Sequence, residues 1–265
     1  MKRTEEVLAV FKNERPAFMP YFTLGYPDLE TSLNIVEVCA TNGADLIELG
    51  IPFSDPLADG PTIQHSTQVA LQNGTTLANC LEGVTTLRKR GITIPLILMG
   101  YYNPILSYGI ERFVADAFSA GAHGFIVPDL PPDEAAPLQA LCRQNGLALI
   151  FLLAPNSPDD RIRLVTDQTT GFVYLVSVTG ITGVRQELPT TLNDFVTRVK
   201  RYTNKPIAVG FGISTPEQAR TIGKIADGVI VGSALIKAVT DSSDMLQAAE
   251  QFIQKMVTAL EPKEG

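Results

Sequence analysis

Two kinds of hydrophobic run alternate along this chain. Short, continuous apolar runs, each ended by Gly, Pro or Asp, are separated by stretches in which apolar residues return at helical spacing. The short runs are Phe18–Leu24, Asp45–Ile51, Pro95–Tyr101, Gly124–Val127, Ala148–Ala154, Gly171–Val176, Pro206–Val209 and Gly228–Val231. Most are too continuous for strands with one face in water, and fit a parallel sheet covered on its outer face. The helical stretches carry end signals. Thr215-Pro216-Glu217-Gln218 offers an N-cap, a proline at the first helical position and a capping-box glutamine. Gly146 follows a helix predicted over Asp133–Gln144 and stops it. Ser242–Glu261 places Met245, Ala249, Phe252, Ile253, Met256 and Leu260 on one stripe.

Eight strand–helix units in 265 residues predict a closed (β/α)8 TIM barrel, a single domain spanning residues 1–265. An open doubly wound sheet is the alternative, because strand order is not written in the pattern. An extra helix, Thr4–Lys12, precedes the first strand and is expected to plug the barrel floor. The second connection is long enough for an added helix, Pro61–Gln72, and a further long connection, Thr179–Leu188, follows the sixth strand. Barrel enzymes keep their active sites in such loops at the C-terminal face.

Composition narrows the class. The chain is 45% hydrophobic and 18% charged, enough for one large core, and its net charge is −7. A polyanion such as nucleic acid would be repelled. The N-terminus turns acidic at Glu5-Glu6 with no apolar segment behind it, unlike a signal peptide. The longest apolar run, Leu147–Ala154, is far short of the roughly 20 residues a membrane helix needs. A cytoplasmic protein is expected. Cys39, Cys80 and Cys142 are widely spaced, with no C-x-x-C, and read as buried reduced thiols; no metal site is expected.

Glu48 breaks the apolar pattern. In Leu46-Ile47-Glu48-Leu49-Gly50, period-two alternation puts Leu46, Glu48 and Gly50 on one face. If Ile47 and Leu49 face the helices, Glu48 points into the barrel, where an unpaired carboxylate raises its pKa and can serve as acid or base. A merely hydrogen-bonded glutamate is the plainer reading, though barrel interiors favour Val, Ile and Leu. The next loop, from Pro52 to Pro61, adds Asp55 and Asp59. Either aspartate alone fits turn chemistry; Asp59 with Glu48 on one rim fits an acid/base pair.

Glycines mark the ends of the last two strands, in Gly210-Phe211-Gly212 and in Gly232-Ser233. Such ends let backbone N–H groups approach an anion, and these two loops are the common phosphate site of the fold. Gly183 could add a third N–H. Tight turns alone would also explain them. The first pair lacks the third glycine of a dinucleotide fingerprint. His65 and His123 are the only histidines, His123 falls at the opposite end, and no lysine lies inside a strand; Lys205 precedes the seventh and Lys237 follows the eighth. Metal, Ser-His and Schiff-base chemistry are thereby disfavoured. Carboxylate proton transfer on a substrate with its own electron sink remains. Tyr174 can reach the interior. Tyr21, Met99, Tyr101 and Phe211 could wall a flat aromatic group, although each alone reads as packing.

The run Leu46-Ile47-Glu48-Leu49-Gly50-Ile51-Pro52-Phe53-Ser54-Asp55-Pro56-Leu57-Ala58-Asp59-Gly60-Pro61 is similar to the signature of the tryptophan synthase alpha subunit family. Tyr21–Gly25, Ser177–Gly183, Gly210–Ile213 and Gly232–Ala234 extend the resemblance over nearly the whole chain. It implies a lyase of tryptophan biosynthesis that cleaves indole-3-glycerol phosphate to indole and glyceraldehyde 3-phosphate, without metal or organic cofactor. Glu48 then matches the acid/base that protonates indole C3, and Asp59 the carboxylate on the indole N–H. Tyr174 matches an auxiliary tyrosine. Thr182 and Gly183 match a mobile loop, where the threonine steadies the aspartate on closure. Gly183, Gly212, Gly232 and Ser233 match phosphate contacts, and Phe211 and Tyr101 the indole pocket. The implied partner is a pyridoxal-phosphate beta subunit in an α2β2 heterotetramer, met through the Pro52–Pro56 loop with Asp55. Tyr21 stands where many members have Phe, and Val178 where some have Arg. A free-standing indole-glycerol-phosphate lyase, a phosphosugar isomerase on the same barrel and a catalytically silent regulatory module are the competing readings.

Overall fold

The structure is a computed structural model and describes residues 2–176, 188–210 and 212–261. Its strands are β1 (Ala17–Thr23), β2 (Ile47–Gly50), β3 (Leu96–Met99), β4 (Gly124–Ile126), β5 (Ala148–Ile150), β6 (Leu152–Leu153), β7 (Val173–Val176), β8 (Ile207–Gly210) and β9 (Gly228–Val231). All neighbours pair in parallel, in the order β5-β4-β3-β2-β1-β9-β8-β7-β6. The two ends of that order, β5 and β6, are halves of one run separated by Phe151. The sheet therefore closes into a TIM barrel, and the open-sheet alternative falls. The expected strand Ala148–Ala154 is divided because its first half pairs with β4 and its second with β7. The stagger that strands need to close a barrel sets these pairings at different heights. Every residue of β1, β2, β3, β4, β5, β8 and β9 is buried, which explains their continuous apolar runs.

The helices are α1 (Arg3–Ala9), α2 (Leu29–Thr41), α3 (Pro61–Gln72), α4 (Leu77–Lys89), α5 (Tyr102–Tyr108), α6 (Ile110–Ala120), α7 (Ala136–Asn145), α8 (Asp159–Gln168), α9 (Leu188–Lys200), α10 (Pro216–Gly223), α11 (Ser233–Thr240) and α12 (Met245–Leu260). The helix expected over Pro61–Gln72 is α3. At α10 the capping box forms as read: Thr215 Oγ1 accepts from Gln218 N at 3.3 Å, and Gln218 Oε1 accepts from Thr215 N at 3.2 Å. Gly146 ends α7 in the left-handed region, φ 66°. That helix starts at Ala136 and not Asp133, because Glu134 and Ala135 turn back onto the carbonyls of Pro131 and Pro132. Helix α12 starts at Met245 and not Ser242. Asp244 is its cap, accepting from Gln247 N at 3.0 Å, while Ser242 holds a turn ahead of it.

Helix α1, continued by a 3-10 turn at Val10–Lys12, lies across the N-terminal end of the barrel, as expected of a floor. Thr4 donates through its N–H and hydroxyl to the Gly146 carbonyl at 3.0 and 2.9 Å, and Arg3 donates to the Phe118 and Ala122 carbonyls at 2.6 and 2.8 Å. Phe11 packs on Phe172 with ring centroids 5.4 Å apart. Cys39, Cys80 and Cys142 are free and buried, and burial pushes their thiols up to about 12. Among the described residues no helix is long and apolar enough to cross a membrane.

A buried polar cluster pins α1 to the floor. His123 Nε2 lies 2.8 Å from Glu6 Oε2, and Nδ1 lies 2.9 Å from Arg88 Nη2. Arginine only donates, so Nδ1 must accept, and the neutral ring gives its one hydrogen to Glu6. Burial holds the His123 pKa below the histidine range; the Glu6 hydrogen bond opposes this and the Arg88 and Arg3 charges reinforce it. Below about pH 6.5 the unfolded chain then binds a proton that the folded chain refuses, so stability falls with pH until the folded pKa is reached. The denaturant midpoint is expected to drop between about pH 7 and about pH 5. His123→Gln should flatten that slope; a variant as steep as the parent would assign it to another group.

Candidate active site

Strand β2 carries Glu48 into the barrel. Its side chain is fully buried (0% exposed), and neither carboxyl oxygen has a hydrogen-bond partner among the described residues. Burial alone therefore pushes its pKa well above the usual carboxylate value. Tyr21 of β1 stands directly beside it in register. Both residues line a cavity of about 250 Å³ at the C-terminal mouth, together with Met99 of β3, Tyr174 of β7 and Ile230 of β9. The alternation read in β2 is thus borne out. Small residues make room for the phenols: a Cβ on Gly50 would collide with Tyr21 Oη, and one on Gly210 with Tyr174 Oη. Burial raises both tyrosine pKa values, and negative charge at Asp59 and Glu48 adds to this, so both phenols stay protonated.

The loop after β2 brings in Asp59. Its backbone N–H turns onto the Pro56 carbonyl at 3.1 Å, while Gly60 occupies the N-cap of α3. The Asp59 carboxylate does not cap that helix. It accepts from the Tyr101 hydroxyl at 3.1 Å, and the same hydroxyl accepts from Ala58 N–H at 2.9 Å. Phe53 backs the Tyr101 ring, 5.3 Å between centroids. Burial raises the Asp59 pKa to about 6 against the lowering effect of the Tyr101 bond. Two carboxyl groups with raised pKa values thus share one cavity, and this one is partly anchored.

The cavity rim is formed by Gly212–Ser214 after β8 and Gly232–Ala234 at the start of α11. Gly212 sits at φ 81°, a conformation that favours glycine. A Cβ on Gly232 would press to 3.2 Å of the Tyr21 ring. Backbone N–H groups at the start of α11 suit an anion, and Lys237, one turn further on, also lines the cavity and pairs with Asp241 at 3.0 Å.

The structure brings Glu48, Asp59, Tyr21, Tyr174, Gly212, Gly232 and Ser233 to one cavity, and sets Tyr101 behind Asp59. Thr182, Gly183, Phe211 and Val178 lie outside the described residues. In the loop expected to meet a partner, Asp55 is exposed and Pro56 half-buried, whereas Pro52 is buried. Next to them Leu57 is 93% exposed. His65 is exposed on α3, edge-on to Tyr26, away from the cavity. Thr62, Ile63, Ser214 and Lys237 line the cavity without having been singled out in sequence. A signal did exist for Lys237, which lies four residues after Ser233 and so on the same helix face.

A parallel barrel with two pKa-raised carboxyls at its C-terminal mouth, facing a glycine-built rim, is the frame of a TIM-barrel enzyme. The family model described as tryptophan synthase alpha chain matches residues 8–263. The chain is 51% identical over 249 residues to the tryptophan synthase alpha chain of Dehalococcoides mccartyi, covering 94% of this chain and 96% of that one. It is 47% identical over 264 residues to that of Chloroflexus aggregans, covering 98% and 99%. The crystal structure of tryptophan synthase subunit alpha from Legionella pneumophila superposes with a TM-score of 0.91 at 36% identity, covering 98% of each chain. This chain belongs to the tryptophan synthase alpha chain family.

Removing the Tyr101 hydroxyl should leave the Asp59 carboxylate without its donor. Tyr101→Phe is therefore expected to raise the Asp59 pKa further above about 6, read from the pH titration of its carboxyl 13C shift. An unchanged or lowered pKa would remove Tyr101 from this role.

Proposed function

We propose that this chain is a carbon–carbon lyase of tryptophan biosynthesis that cleaves indole-3-glycerol phosphate to indole and glyceraldehyde 3-phosphate. The observation that carries the reading is Glu48: a buried carboxyl with no hydrogen-bond partner among the described residues, in a cavity that also holds a second carboxyl and a glycine-built rim. With its pKa raised, Glu48 starts protonated and gives its proton to indole C3. Positive charge develops at the ring nitrogen, where ionised Asp59 accepts the N–H and stabilises it. The Glu48 carboxylate then takes the proton of the side-chain hydroxyl next to the ring. As that oxygen becomes a carbonyl, the carbon–carbon bond breaks and its electron pair returns to the ring. Indole and the aldehyde leave, and Glu48 is protonated again. The ring itself is the electron sink, so no cofactor or metal is invoked.

Gly212, Gly232 and Ser233 hold the phosphate by backbone N–H groups, Lys237 adds positive charge, and Gly183 has the role of a further phosphate contact. Thr182 would steady Asp59 on loop closure. Tyr101 and Phe211 flank the indole, and Tyr174 closes the interior side. The whole chain works as one cytoplasmic barrel domain. Its partner is a pyridoxal-phosphate beta subunit, in an α2β2 assembly, that receives the indole. The exposed Leu57 beside Asp55 and Pro56 favours this over a free-standing lyase, because an exposed leucine at a loop tip suits a docking contact.

Glu48→Gln should abolish indole release while substrate still binds; retention of most activity would remove Glu48 from the mechanism. Asp59→Asn should be severely impaired, whereas Asp55→Asn should chiefly weaken activation by a beta subunit, and equal damage to the isolated chain would refute that division. Because Asp59 must be ionised, kcat/KM should fall as pH drops through about 6. A profile flat across that range would contradict its assigned charge.

A further inference from the structure

Tyr21 has no part in the scheme above, yet it forms the wall between the two groups that would anchor the substrate. Strand β1 lies between β9, whose end carries Gly232 and its rim, and β2, whose following loop carries Asp59. The Tyr21 side chain spans that gap. Near its root, a Cβ on Gly232 would come within 3.2 Å of the ring; at its tip, a Cβ on Gly50 would overlap the hydroxyl. The tip therefore lies over β2, one inward position beyond Glu48, the strand partner of Tyr21. Negative charge at Asp59 and at Glu48 raises the phenol pKa, as it does for an oxygen within reach of both. The tip is also braced. Its oxygen lies 3.4 Å from Thr23 Oγ1, which lies 2.8 Å from Ser66 Oγ, and Thr23 and Ser66 are fully buried. Whichever way these hydroxyls point, the phenol is held in the wall of the cavity.

The substrate ring is held at two points: its N–H, which Asp59 accepts, and C3, which carries the chain that ends in phosphate. A single atom, C2, joins those points on one side, and the six-membered ring fills the other. The anchors divide the barrel just as unequally. Between the rim and the Asp59 loop stands β1 alone on the short side; on the long side the wall runs from β3, with Met99, round to β7, with Tyr174. The short edge of the ring fits the short wall, and the six-membered ring takes the wide one. C2 then meets the Tyr21 phenol. We propose that Tyr21 is a specificity-determining residue, whose braced phenol excludes a substituent at indole C2 and stays clear of the six-membered ring. This rests on the proposed cleavage reaction, and it names the ring that the site accepts: one that carries only hydrogen at C2.

The test runs the reaction in reverse, joining a ring to glyceraldehyde 3-phosphate. C3 bonds to the aldehyde carbon, the aldehyde oxygen takes up a proton, and C3 gives up its own. A methyl group at C2 makes C3 more nucleophilic, so a preference for plain indole reports the site and not the chemistry. The parent is expected to favour indole over 2-methylindole in kcat/KM by at least about tenfold, as a packed pocket does against one added carbon. Tyr21→Phe deletes only the oxygen. It is expected to narrow that preference by at least about threefold, and to leave the preference between indole and 5-methylindole within about twofold of the parent's. Each preference is a ratio within one preparation, so partial unfolding of the variant cancels. A parent preference below about tenfold, a narrowing of less than about threefold, or a 5-methylindole preference moved by more than about twofold overturns the proposal. None of these results touches the loss expected of Glu48→Gln. A parent enzyme that neither condenses indole nor releases it overturns the cleavage reading itself, and this proposal with it.

Discussion

The structure turns on one carboxyl group that folding buries with no hydrogen-bond partner among the described residues. An ionised Glu48 in the barrel interior would be very costly, and the protein meets that constraint by favouring the protonated form. A carboxyl held toward its protonated form can act as an acid, and becomes a strong base once its proton is given up. The surrounding residues follow from this arrangement. Tyr21 and Tyr174 place polar atoms near the carboxyl without adding charge, and the glycines at positions 50 and 210 exist where a side chain would displace those phenols.

Asp59 shows how a different setting gives a different carboxylate. It is only partly buried, accepts a hydrogen bond from Tyr101, and sits on a loop that Tyr101 also grips through the Ala58 N–H. Its pKa of about 6 leaves it mostly ionised at neutral pH, while burial favours the protonated form of Glu48. Two carboxyls of nearly equal intrinsic acidity are thus separated by environment alone, which is the condition for assigning them different tasks.

The two ends of the barrel contrast in their treatment of buried polar groups. At the floor, His123 is paired on both ring nitrogens, and Arg3, Glu6 and Arg88 close the network around it. Nothing there is left unsatisfied enough to do chemistry; the cluster locks α1 to the sheet. At the mouth, Glu48 has no hydrogen-bond partner among the described residues, at a cost in stability, and the closed ladder of strands holds it in place. The β5–β6 break at Phe151 belongs to the same geometry. It is the point where the sheet's two edges meet and change height.

The sequence alone determined the alternation of strands and helices, since continuous apolar runs record strands covered on both faces, and cap residues such as Thr215 and Gly146 record local backbone preferences. It placed Glu48 on one face with Leu46 and Gly50, and inward on the condition that Ile47 and Leu49 face the helices, a condition that the cavity lining meets. It could not determine strand order or closure, which depend on pairings far apart in the chain. Nor could it separate Asp59 from an ordinary turn aspartate: that distinction rests on Tyr101, 42 residues away and brought in by β3. The position of Lys237 at the rim was likewise decided only by tertiary structure, because cavity lining arises from which surfaces meet, not from the spacing of residues along the chain.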